Sequence, residues 1–230
     1  MIGVLVNTIA VIVGSLIGLL FKKGIPEKVS GAIMTGIALC TLYIGISGSL
    51  KGENTLVLII SMVTGAAAGT LLDIDKGITR LGEWVEKKFS PKDSRQVSVA
   101  QAFITASLLF CVGAMTIVGS LTAGLTGDNE TLFTKSVLDF ISAIMLTVSM
   151  GIGVIFSAAF VLVFQGSIAL LAGVLAPVLS DAAVNELICC GSMLIVALGL
   201  NLLGLTKIKV ANYMPALIIA PLLVWVINLF

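Results

Sequence analysis

Runs of about twenty apolar residues, separated by short charged loops, fill this chain from end to end, and about that many are needed for one helix to cross a bilayer. Six such runs stand out, near residues 1–21, 30–50, 55–72, 97–118, 187–205 and 211–230. The stretch 136–179 carries a single charge, Asp139, and is about twice the length one helix needs, so it reads as two further spans near 136–156 and 158–179. The expected fold is an all-α integral membrane protein, a single polytopic domain over 1–230 with about eight transmembrane helices.

Composition removes the alternatives. Hydrophobic residues make up 58% of the chain and charged residues 11%, against about a quarter charged in soluble domains. A net charge of +1 supplies no basic field, so no nucleic-acid partner is expected; the lipid bilayer is the expected surrounding. Histidine is absent, and Cys40, Cys111, Cys189 and Cys190 all lie in apolar runs without C-x-x-C spacing. They read as small packing residues, with no metal site and no cofactor expected. The first apolar run lacks a basic n-region and reads as a retained span, not a signal peptide.

Loop charge orients the spans, because cytoplasmic loops keep Lys and Arg. Lys22, Lys23 and Lys28 place the first loop inside, Lys51 alone marks the second as outside, and Lys76, Arg80, Lys87, Lys88, Lys92 and Arg95 place the third inside. The loop of Asp128, Glu130 and Lys135 is then outside, and that of Lys207 and Lys209 inside. Eight passes leave eleven of the thirteen basic residues in the cytoplasm. The expectation is a multi-pass protein of a bacterial inner membrane with both termini extracytoplasmic. Residues 77–89 read as a cytoplasmic amphipathic helix, with Ile78, Leu81, Trp84, Val85 and Phe89 on its apolar side and Arg80, Glu83, Glu86 and Lys87 opposite. A weak echo between Ile9–Gly31 and Ile168–Gly191 would relate spans 1–3 to spans 6–8 as inverted repeats, an arrangement common in secondary transporters.

No P-loop, HExxH or GxSxG motif occurs, so neither ATP-driven transport nor an enzyme is expected. What remain are polar groups within or at the ends of apolar runs: Asn7, Gln101, Asp139, Gln165, Asn201 and Asn212. These are costly in lipid and usually face the protein interior or a water path. Asp139 follows Lys135 by four residues, with Ser136 between them, so it reads either as an ion pair that caps and orients its helix or as a cation or proton site. Gln165 and Asn201 would offer uncharged hydrogen bonds to a solute, or to neighbouring helices. Glycines from Gly113 to Gly127 read as a broken helix or a glycine-rich turn, and Gly151 with Gly153 marks a second loosened region. Gly65 with Gly69, and Gly14 with Gly18, are small-residue faces for close helix contact. Whether the neighbour is the same chain or a second copy, giving a homodimer, stays open here.

These motifs resemble the bacterial membrane-protein family catalogued as domain of unknown function 554. The resemblance rests on residues 111–115, 124–128 and 135–139, on residues 151–154 with Phe156-Ser157, on Gln165-Gly166-Ser167 and residues 199–203, and on the opening Gly3-x-x-x-Asn7 and closing Asn212-x-x-Pro215-Ala216. Ala114 stands where relatives often have proline, and Phe140 where they have glycine; the first weakens the case for a proline-forced kink. The resemblance implies a bacterial integral membrane protein, sometimes labelled a transporter, without a substrate. The expectation is therefore a secondary transporter or carrier of a small solute or ion. Its candidate path comprises Asp139, Gln165, Asn201, Asn7, Ser136, Gly113, Gly127 and Gly153, and the alternatives are an oligomeric channel and a non-transporting scaffold or sensor.

Overall fold

The computed structural model describes residues 1–22, 27–89, 98–112 and 114–228, and every regular element among them is helical. In chain order these are α1 (Ile2–Lys22), α2 (Glu27–Ser49), α3 (Thr55–Leu71), α4 (Ile74–Phe89), α5 (Val99–Cys111), α6 (Ala114–Leu125), α7 (Glu130–Met150), α8 (Ser157–Leu170), α9 (Ala172–Leu175), α10 (Asp181–Leu202) and α11 (Ala216–Ile227), with 3-10 turns at Ile152–Phe156 and Val210–Tyr213. Six segments are long and apolar enough to cross a bilayer alone. The pairs α3–α4 and α5–α6, bent by 54° and 60°, bring the number to eight when each counts as one span.

Glycine contacts give the direction of each pass, because a helix without a Cβ lets its neighbour's backbone approach closely. Gly3, Gly14 and Gly18 of α1 lie against Leu132, Ala143 and Thr147 of α7, so these two helices run parallel. Gly45 lies against Val196 and Gly52 against Cys189, so α2 and α10 are antiparallel. Gly65 meets Ala216 and Gly69 meets Asn212, which makes α3 and α11 antiparallel. Val99 of α5 packs beside Gly153, and Gly124 of α6 beside Ala169, so the bent α5–α6 pair climbs alongside α8. All four relations are those of eight alternating passes.

Both small-residue faces are thus used inside the chain, Gly14 and Gly18 on α7, Gly65 and Gly69 on α11. In this chain these faces pack against its own helices. The helices form two groups that share α5. One core joins Val57 of α3, Leu108 of α5, Leu194 and Leu198 of α10 and Ala220 of α11. The other joins Val11 of α1, Phe110 of α5, Ala143 of α7 and Val161 of α8. Leu39 and Tyr43 of α2, and Ile59 and Val63 of α3, are exposed, as apolar side chains facing lipid tails can be at no cost.

Several boundaries differ from the sequence reading. α7 starts at Glu130 and not near 136, and α10 at Asp181 and not near 187, because Lys135 and Glu186 lie inside the helices instead of in loops. The span expected over 97–118 is two helices, broken after Cys111 and running on to Leu125. Gly119 and Gly124, expected to loosen that region, are helical and serve as contact points against Leu132 and Ala169. Gly113 lies outside the described residues, as do Lys23, Lys92 and Arg95 of the basic loops.

α4 begins three residues earlier than expected, at Ile74. Its start is set by Asp73, which adopts φ 51°, and by Asn212, whose Oδ1 accepts a hydrogen bond from the Asp75 N–H at 2.8 Å. Ile74 and Ile78 then pack on the α3–α5–α10–α11 core. The side chains of Leu81, Trp84, Val85 and Phe89, expected to complete that apolar face, lie outside those described.

Candidate functional site

On α1, α7 and α8, one set of buried polar residues falls between two apolar clusters. Val4 of α1, Ala123 of α6, Leu132 of α7 and Ala169 of α8 form one small cluster. Val11, Cys111, Ala143 and Val161 belong to the larger cluster below it. Between them stand Asn7 and Thr8 on α1, Lys135, Ser136 and Asp139 on α7, and Gln165 on α8; on α6, Ser120 lies one turn below Ala123. All of these are buried. At 1.5 Å per residue, seven residues from Val4 to Val11 make the layer about 10 Å deep on α1.

Its centre is an ion pair. The Lys135 Nζ donates to Asp139 Oδ1 at 2.8 Å, and the Asn7 Nδ2 donates to Asp139 Oδ2 at 3.0 Å. Asp139 is the tenth residue of α7, so the pair sits mid-helix and not as a cap. Both carboxylate oxygens are satisfied and the formal charges cancel, which is the condition for holding ions in a low-dielectric interior. Ser136 and Thr8 spend their hydroxyl protons on the carbonyls of Leu132 and Val4.

Other groups in the layer have no hydrogen-bond partner among the described residues: the Oδ1 of Asn7, both side-chain polar atoms of Gln165, and the Ser120 hydroxyl. Gln165 and Asn7 are fully buried. Native interiors leave few such atoms unpaired, and those that remain call for a functional account or a bound molecule. Cys111, which belongs to the lower cluster, ends α5 beside this region, and on α6 Thr116 donates back to the Phe110 carbonyl at 2.8 Å.

Of the residues expected from sequence, Asn7, Ser136, Asp139 and Gln165 fall at the depth of this layer, with Asn7 bonded to Asp139. Asn201 does not. It lies near the end of α10, where its amide binds Ile208 through both backbone groups and accepts from the Thr206 hydroxyl at 2.7 Å. With Asp75, Gln101, Lys207 and Lys209 it lines a separate cavity of about 400 Å³. Gly127, at φ 78°, makes the turn before α7, and Gly153 seats the 3-10 turn on Val99. Neither reaches the layer.

Sequence reasoning missed Glu186. It is 2% exposed, and its Oε1 accepts the N–H groups of Glu53 and Asn54, each at 2.7 Å, tying α10 to the start of α3. The signal was Ser180 before Asp181, an N-cap that starts the helix early enough to carry Glu186 inside. Glu186→Ala strands two N–H donors and should lower stability by about 1–3 kcal/mol, whereas Glu186→Gln, which keeps an acceptor, should lose much less; thermal unfolding in detergent reads both.

Comparison with known proteins agrees with the motifs. The family model described as "Protein of unknown function (DUF554)" matches residues 2–225. The chain belongs to the DUF554 family. "Uncharacterized membrane protein YdfK" of Bacillus subtilis (strain 168) is 32% identical over 234 residues, covering 100% of this chain and 98% of the relative. "Uncharacterized protein YqgA" of Escherichia coli (strain K12) is 29% identical over 221 residues, covering 95% and 94%. No solved structure matches. The polar layer described above therefore lies in a DUF554 chain matched by these relatives along nearly its whole length, and the protein is a multi-pass membrane protein of that family.

Proposed function

We propose that this protein is a secondary carrier of a small solute across a bacterial inner membrane, and not an enzyme, with the Asn7–Asp139–Gln165 layer as its binding site. The observation that carries the reading is a buried layer with unused hydrogen-bonding groups, closed above by Val4, Ala123, Leu132 and Ala169 and below by the Val11–Cys111–Ala143–Val161 cluster. Such an arrangement is what an occluded carrier needs: a site wet only when one of two apolar gates opens.

Two further features support it. The pairs that an inverted repeat of spans 1–3 and 6–8 would relate, α2 with α10 and α3 with α11, pack antiparallel, as a two-fold axis in the membrane plane requires. Eight passes also put the basic loops on one side, with both termini extracytoplasmic by the positive-inside rule.

The test uses the full chain with its native cysteines replaced by alanine and a single cysteine at Ser120 or Gln165. A membrane-impermeant maleimide should label each position from outside in right-side-out vesicles and from inside in inverted ones, without ionic current. Labelling accompanied by ohmic current would make the protein a channel. Labelling from neither side would overturn the reading in favour of a scaffold.

A further inference from the structure

We infer that the carried solute is uncharged and amide-like, a urea or a small primary carboxamide; this rests on the carrier reading above. Charge comes first. Within the layer Lys135 and Asp139 cancel, and both carboxylate oxygens are already engaged. Any cation entering would meet the Lys135 ammonium with no free carboxylate to balance it, and any anion would meet Asp139 in the same way. A net charge left uncompensated in a water-poor layer is strongly disfavoured.

The unused hydrogen-bonding groups then choose among neutral solutes. Gln165 has two N–H donors and a carbonyl acceptor free, Asn7 has its carbonyl oxygen free, and Ser120 a hydroxyl. A primary amide is the complement of a glutamine side chain, since its carbonyl accepts from Nε2 while its own N–H donates to Oε1. Its second N–H, or urea's further amino group, would suit the Asn7 oxygen. An apolar gas would leave every one of these groups stranded.

The experiment measures entry of urea and of acetamide into proteoliposomes by stopped-flow light scattering, with Na⁺, K⁺ and acetate as charged probes. Uptake of one or both amides should exceed that of protein-free vesicles, and should fall by about ten-fold for each hydrogen bond lost in Gln165→Leu. That variant should unfold at the same or a higher temperature, because it removes two unpartnered polar atoms. Gln165→Glu keeps the size, adds a charge, and should also suppress amide entry. A Gln165→Leu variant that unfolds at a clearly lower temperature would make Gln165 a structural residue and overturn the inference. Saturable uptake of a charged probe with inert amides would overturn the solute class and leave the carrier standing. Inert amides with reactive cysteines at Ser120 and Gln165 would do the same, whereas inert amides with unreactive cysteines would remove both readings.

Discussion

Lys135→Ala is expected to cost about 3–5 kcal/mol, since removing one partner of a buried ion pair leaves the other charge without compensation. The Asp139 carboxylate would keep only the Asn7 amide at 3.0 Å, while the Thr8 and Ser136 hydroxyls are committed to their own helix backbones. Asp139→Asn alone should be costly for the opposite reason: it retains an acceptor for Asn7 but strands the Lys135 ammonium. The double variant Lys135→Met with Asp139→Asn removes both charges at near-constant volume, and should recover most of the loss, to within about 1–2 kcal/mol of the parent. With Lys135→Met alone as the second single variant, thermal unfolding of the parent, Lys135→Met, Asp139→Asn and the double variant in detergent closes a double-mutant cycle. A strictly additive cycle would show that the two side chains do not act as a pair, whatever their separation of 2.8 Å.

Gly69→Val is expected to be as damaging by a different mechanism. A Cβ at Gly69 would collide with the backbone carbonyl of Asn212, and one at Gly65 would lie 2.6 Å from the Ala216 nitrogen. Backbone cannot swing aside as a side-chain end can, so α3 and α11 would have to separate. The loss should reach about 3 kcal/mol or more, the upper range for overpacking. It should also loosen α4, whose first turn hangs on the Asn212 side chain. Gly36→Ala is the control: an added Cβ at Gly36 meets nothing within 4 Å, and alanine in a helix interior gains up to about 1 kcal/mol. Unfolding temperatures and the elution profile of each variant in detergent, compared with the parent's, would separate packing damage from aggregation. Equal stability of Gly69→Val and Gly36→Ala would refute the close α3–α11 contact.

The accuracy with which spans were legible tracks how abruptly their ends are marked. α1 and α3 were expected at 1–21 and 55–72 and are found at Ile2–Lys22 and Thr55–Leu71. Both end where charge begins at once, and Asn54 caps α3 by accepting from Leu56 and Val57. α7 and α10 were read six residues short at their starts, because a lone lysine or glutamate in sequence looks like a loop. Their burial depends on partners more than a hundred residues away in one case, the Glu53 and Asn54 N–H groups at Glu186, and one helical turn away in the other.

The candidate site was partly legible for the same reason. A polar residue in an apolar run announces that it has a partner or a solute, but not which. Asn201 and Gln165 looked equivalent in sequence, yet Asn201 is consumed by the turn at Ile208 while Gln165 is left with both polar atoms unused. Ser120 carried no signal at all, since hydroxyls are common in spans, and it matters only through its place one turn below Ala123.

The amino-acid sequence by itself determined that this chain is a multi-pass membrane protein and which loops carry the positive charge, because transfer of side chains into hydrocarbon is a local and additive cost. Only the tertiary structure decided that the small-residue faces close on the chain's own helices, that Lys135 and Glu186 are interior, and that Asn7, Asp139, Gln165 and Ser120 share one buried region. Those outcomes depend on which helices lie side by side and in what register, and hydrogen bonding and backbone approach between helices are not properties of any one span.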